Sequence, residues 1–287
     1  MVRDWIQRNA VASYVLFAYG ITWSLAIVLA LSYHGVISIQ IPFALHYILP
    51  YGPMLSALIV TWLRGGTQSL TGLLGRMSKW RIRPVWIIIA LFSVWVLYIA
   101  SALMMMVMGQ PWPNLSIFGQ VMYLPYLTFF GAWALWIFTY GIGEETGWRG
   151  YLLPHIQTRY SALVSSLIVA IIWAGWHAPM FFYNENLMAM GLLGTVFWVI
   201  GLMFGSVLLT WLYNNTEGSI LMTAVWHGTF NTFTAAAGQA ASVTSGIISM
   251  LVMVLVVFVV IIYKPKNLSH SERQQASVFF PSLKKEE

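Results

Sequence analysis

The sequence predicts an all-α fold: a polytopic transmembrane bundle of about eight spanning helices with both termini in the cytoplasm. Three observations point there: sparse charge, eight apolar runs of spanning length, and basic residues confined to alternate connections. Of 287 residues, 59% are apolar and only 8% charged, and the mean hydropathy is +0.76. Soluble domains carry about 25% charged residues. A water-soluble surface cannot be clothed with so few, so the chain is built for lipid.

A spanning helix needs about 20 predominantly apolar residues. Such runs occur at 10–32, 43–63, 85–108, 121–143, 161–181, 191–213, 219–237 and 244–263. Pro50, Gly52 and Pro53 interrupt the second and predict a kink there. The basic residues test this count independently. With the N-terminus in the cytoplasm, that side holds Arg3 and Arg8, then Arg64, Arg76, Lys79, Arg81 and Arg83, then Arg149 and Arg159, and finally Lys264, Lys266, Arg273, Lys284 and Lys285. These are all fourteen Lys and Arg, and the opposite side receives none, as the positive-inside rule requires.

One membrane body over residues 1–263 follows, because no polar stretch between the runs is long enough to fold separately. The first run is too long for a cleaved signal sequence and is expected to be retained. Residues 264–287 are polar and are expected to form a flexible cytoplasmic tail. Trp5, Trp62, Trp80, Trp86 and Trp112 near run ends fit interfacial belts. There is no cysteine, which excludes disulfides, thiolate nucleophiles and Cys-bound metals. A net charge of +6 in such a chain reports topology and contact with anionic lipid, so the bilayer is an expected partner and nucleic acid is not.

The acids isolate a site. Six of the eight lie in termini or short loops, and the other two are adjacent, Glu144 and Glu145, at the end of the fourth run. If that helix continues to about Pro154, ten residues, or about 15 Å, place both below the membrane surface. An ionised group at the centre of a spanning helix costs about 3 kcal/mol and is a functional hypothesis by default. Glu145 and Arg149 are i and i+4 with the acid first, the better order for an ion pair. Glu144 points about 100° away around the helix and has no local basic partner.

Two further polar constellations lie inside apolar runs: His177, in Trp173-Ala-Gly-Trp-His177, and His227 with Asn231, again i and i+4 on one face. Taken singly, these are also what a structural salt bridge or a satisfied core histidine looks like. Three on separate spans must find partners away from lipid, and the cheapest are one another. By depth from the cytoplasmic ends, Glu144 and His227 are level, whereas His177 falls about 10 Å deeper. His34, His46, His155 and His270 fall in or near loops and the tail and are read as bystanders.

In order and spacing, Glu144-Glu145…Arg149, Trp173…His177 and His227…Asn231 resemble the CPBP family of intramembrane peptidases. That family includes the CAAX-processing proteases and bacterial Abi-type immunity proteins. The resemblance covers about residues 120–235, with a tryptophan at 173 where phenylalanine is more usual. It implies that Glu144 is the base, that His177 helps to activate water, and that His227 and Asn231 stabilise the oxyanion or join a metal site. The residue chemistry accommodates both versions. An amide and an imidazole can donate to a developing oxyanion. Alternatively, Glu144, His177 and His227 with an open position would make a catalytic zinc set. No His-Glu-x-x-His run is present, and metal-independent chemistry is the preferred expectation.

The expected function is hydrolysis of a hydrophobic peptide or protein substrate in the plasma (inner) membrane of a bacterium. Two competing classes are a non-catalytic immunity or scaffold protein and an ion-coupled transporter. The latter would show an inverted repeat, which the sequence lacks.

Overall fold

The computed structural model describes residues 2–113, 121, 124, 126–235 and 242–279. Among these the chain is helical, with one isolated bridge between Val121 and Leu124. The eight long helices are α1 (Ala10–Tyr33), α2 (Tyr51–Met77), α3 (Pro84–Val107), α4 (residues 129–156), α5 (Ala162–Trp176), α6 (Gly191–Asn215), α7 (Ile220–Thr234) and α8 (Val243–Asn267). Each corresponds to one expected run. Among the described residues, six segments are long and apolar enough to cross a membrane: α1, α2 with the turn before it, α3, α5 with the turn after it, α6 and α8. The protein is a multi-pass membrane protein.

Local chemistry explains the helix ends. Thr128, Ser161, Ser219 and Ser242 cap α4, α5, α7 and α8, their side chains accepting from backbone N–H groups of the first turn. Pro179 follows His177 and ends α5, after which Ala178–Phe182 forms a 3-10 turn. The expected break near Pro50 is a 3-10 turn, Phe43–Ile48, leading into α2 at Tyr51. The helical stretch continues past its apolar run to Met77 with a break at Gly66, where φ is 63°, so Arg64 and Arg76 lie in helical segments on either side of that break rather than in a loop.

α4 departs most from expectation. It starts at 129 rather than 121 and runs on past 143 to 156. Part of the expected N-terminal stretch lies outside the described residues. Two sections, Ile137–Glu144 and Trp148–Leu152, are wound as π-helix, a form that is rare and concentrates at functional sites. The shift puts both glutamates mid-helix.

Glycines let α4 sit at the centre. A Cβ on Gly141 would meet the Ala224 carbonyl oxygen of α7 at 2.4 Å, and one on Gly143 would meet the Pro50 carbonyl oxygen at 2.7 Å. From the other side, a Cβ on Gly228 of α7 would lie 2.6 Å from the Ile137 backbone. Backbone therefore runs against backbone, the approach that small residues permit in membranes.

Trp86, expected at the interface, is buried and packs edge-on to Trp211, ring centroids 5.1 Å apart. The tail is also different. Up to Phe279 it returns to the bundle, because the ends of α4 and α6 offer polar side chains to bond it. Arg273 Nε donates to the Gln157 carbonyl at 2.8 Å, and the Asn214 side chain donates to the Asn267 carbonyl at 2.8 Å. Ala276 is buried, and the Phe279 ring lies 4.0 Å from the Arg76 guanidinium.

Candidate active site

The three polar constellations converge. Glu144, His177, His227 and Asn231 line one cavity of about 590 Å³, with Trp173, Trp136, Tyr140 and Phe230 among its apolar and aromatic walls. α4 delivers the acid, the end of α5 delivers His177, and α7 delivers His227 and Asn231.

Glu144 is buried and held by indoles rather than by a cation. Its Oε2 accepts from Trp173 Nε1 at 2.5 Å and from Trp148 Nε1 at 3.3 Å. One carboxylate oxygen is thus fixed, and Oε1 has no protein partner among the described residues. Glu145 has the complementary role. Its Oε1 accepts from Arg149 Nη1 at 2.9 Å, the expected i, i+4 pair, and from His227 Nδ1 at 2.8 Å. Arg149 in turn lies over the Trp173 ring, 4.8 Å from its centroid. The expected ion pair is therefore one corner of a buried network that orients both His227 and the indole gripping Glu144.

These bonds set the histidine tautomers. The carbonyl of Trp173 can only accept, so His177 Nδ1 carries the proton it donates there at 2.8 Å. Its Nε2 is left as a lone pair when the ring is neutral. His227 likewise commits Nδ1–H to a carboxylate, so its Nε2 becomes a donor only as imidazolium. The mismatch in depth is reduced. Trp173, not His177, is level with Glu144, and His177 lies one helical turn, about 5 Å, further along α5.

The uncommitted atoms, Glu144 Oε1 and the Nε2 lone pairs of neutral His177 and His227, are of the type a zinc ion takes. Among the described residues no three His, Asp or Glu side chains are grouped to hold a metal. Spacing, rather than donor type, is what separates these residues from a metal site.

Three of the four bystander histidines stay clear of the cavity lining: His34 bonds the Phe182 carbonyl, His155 bonds Tyr151 and Arg64, and His270 packs on Tyr263. His46 does not. It lines the same cavity as Glu144. Its position within the second apolar run was the available signal, the same one that singled out His177.

Residues 125–233 match the family described as Type II CAAX prenyl endopeptidase Rce1-like. That stretch contains all six residues singled out on α4, α5 and α7. This part of the chain is similar to the CPBP/CAAX protease family. A 92-residue stretch is 28% identical to CAAX prenyl protease 2 of Methanococcus maripaludis, covering 31% of this chain and 34% of that protein. The chain thus spans about a third of the length of that CAAX protease relative, and α1–α3 and α8 lie outside the family match.

Proposed function

We propose that the protein is an intramembrane endopeptidase in which Glu144 activates water against a peptide bond of a hydrophobic substrate. The observation that carries this reading is the carboxylate of Glu144, pinned through one oxygen by two indole N–H groups and sharing a cavity with His177, His227 and Asn231. A fixed, desolvated carboxylate with its second oxygen uncommitted is suited to general-base work.

In this scheme the water sits between Glu144 Oε1 and His177 Nε2. Glu144 takes one proton as the water oxygen bonds to the scissile carbonyl carbon. The carbonyl oxygen becomes an oxyanion, stabilised by the Asn231 amide and by His227 as imidazolium, whose charge faces the Glu145 carboxylate. Glu144 then passes its proton to the amide nitrogen as the C–N bond breaks, releasing an amine and a carboxylic acid. Glu145 and Arg149 position His227 and Trp173 and do not touch substrate. All of these steps run through side chains of the protein.

The relative's name supplies a candidate substrate, a prenylated C-terminal peptide; an unmodified apolar peptide is the alternative within the same reaction class. A bacterial plasma membrane is the proposed location. The test is cleavage of fluorogenic apolar peptides, with and without a farnesyl group, by purified protein in detergent. Cleavage that survives in Glu144→Gln would overturn the assignment. Turnover that persists after chelation, with no metal found at stoichiometric level, would support the route drawn through protein groups.

A further inference from the structure

His46 stands on the 3-10 turn Phe43–Ile48, outside the stretch that matches the peptidase family. It is buried to 6% exposure, its ring stacked on Phe43 at 5.1 Å between centroids, and it lines the cavity. Its Nδ1 lies 2.9 Å from the hydroxyl of Tyr183. Tyr183 directly follows the 3-10 turn that leaves α5 at His177.

The hydrogen in this bond can be placed by counting donors. Tyr183 is 1% exposed, and no other partner reaches its hydroxyl among the described residues. If His46 Nδ1 carried the proton, the phenolic O–H would be buried without an acceptor, a loss of about 1–3 kcal/mol. With the phenol as donor, both groups are satisfied and the ring proton moves to Nε2. The neutral ring must have one N–H, so Nε2–H is the group left for an occupant of the cavity.

This makes His46 unlike the other two cavity histidines. Neutral His177 and His227 each spend their N–H at Nδ1 and turn a lone pair to the cavity. His46, held by Tyr183, turns a donor to it without acquiring charge. The cavity lining contains Glu144 and Glu185 but no Lys or Arg among the described residues, so a neutral acceptor suits this donor better than an anion.

We propose that His46 is a substrate-positioning residue whose Nε2–H donates to a backbone carbonyl oxygen of the bound peptide, away from the scissile bond. This rests on the peptidase reading for the identity of the occupant. Tyr183 fixes the tautomer and joins the contact to the turn that carries His177. An extended apolar peptide would then be held at one carbonyl by His46 while another is presented to Glu144.

The test compares an apolar fluorogenic peptide with a series in which each amide is replaced in turn by a thioamide, a poorer acceptor. In wild-type protein, one thioamide position remote from the cut raises KM about fivefold with kcat within twofold. In His46→Phe the all-amide peptide shows that same rise in KM, and the thioamide at that position brings no further penalty. His46→Gln, which restores an N–H donor, recovers the penalty and also serves if the Phe variant folds poorly. Equal thioamide penalties in wild type and His46→Phe, or an unchanged KM in the Phe variant, overturn the assignment while leaving the peptidase reading intact. The same peptides binding to wild-type protein without being cut would instead remove the peptidase reading, and the thioamide penalty on Kd would then decide His46 by itself.

Discussion

The inner and outer helices solve opposite problems. α3 and α8 turn large apolar side chains outward, such as Phe92, Ile88, Val254 and Ile261, and hold few polar groups. In α4 from Gly141 onward, and along most of α7, the residues are buried, and they include Thr146, Arg149, Thr223, Thr229 and the charged pair Glu144-Glu145. Outer helices are selected for compatibility with lipid, which any large apolar side chain provides. Inner helices need small residues for close approach and partners for most of their polar groups. A substitution of equal size should therefore have very different consequences in the two regions.

The largest contrast is expected at the acid. Glu144→Gln keeps shape and both indole contacts but removes the base, and peptidase turnover should fall by about 10³-fold or more. The protein should still insert and purify as a folded species, checked by size exclusion and thermal unfolding. A smaller effect is expected from the proposed oxyanion donors. Asn231→Ala should lower kcat by about 10²-fold with little change in KM. A rise in KM alone would assign Asn231 to substrate binding instead.

Trp173→Phe comes next. It keeps the aromatic wall and deletes the N–H at Glu144 Oε2, so kcat should fall about 10- to 100-fold, the worth of a hydrogen bond to a charged acceptor. Unchanged kcat would show that Trp148 alone can hold the carboxylate. At the bottom of the scale stand Phe92→Leu on the outer surface and His34→Ala in a loop. Each should alter stability by less than about 0.5 kcal/mol and leave turnover at the wild-type level. A large loss at Phe92 would blur the division between the two shells.

The outer shell was the easier part to read. Apolar length located the six segments long and apolar enough to cross a membrane among the described residues, because lipid imposes it on each span separately. Within the site, the Glu145–Arg149 pair was legible because it is local, a matter of i and i+4 on one helix. The bonds that complete the site were not. Trp148 and Trp173 appeared as aromatic residues, and only the fold shows their N–H groups aimed at Glu144. His46 lies 98 positions before Glu144 in the chain, and no periodicity links them. The π-helical sections Ile137–Glu144 and Trp148–Leu152 left no mark in the apolar pattern. The docking of residues 264–279 was not legible because polar composition separates disorder from docking only when the docking surface is known, and that surface is formed by α2, α4 and α6.

The seat of Phe279 on Arg76 has a consequence for assembly. The two residues are 203 positions apart in the chain, so the Phe279 ring can settle on the guanidinium only after the helices between them have been synthesised. Within the bundle the guanidinium also donates to the Tyr213 hydroxyl and the Gly150 carbonyl, so the ring closes over a cation that α4 and α6 already engage. Docking of this segment is therefore a late, long-range contact.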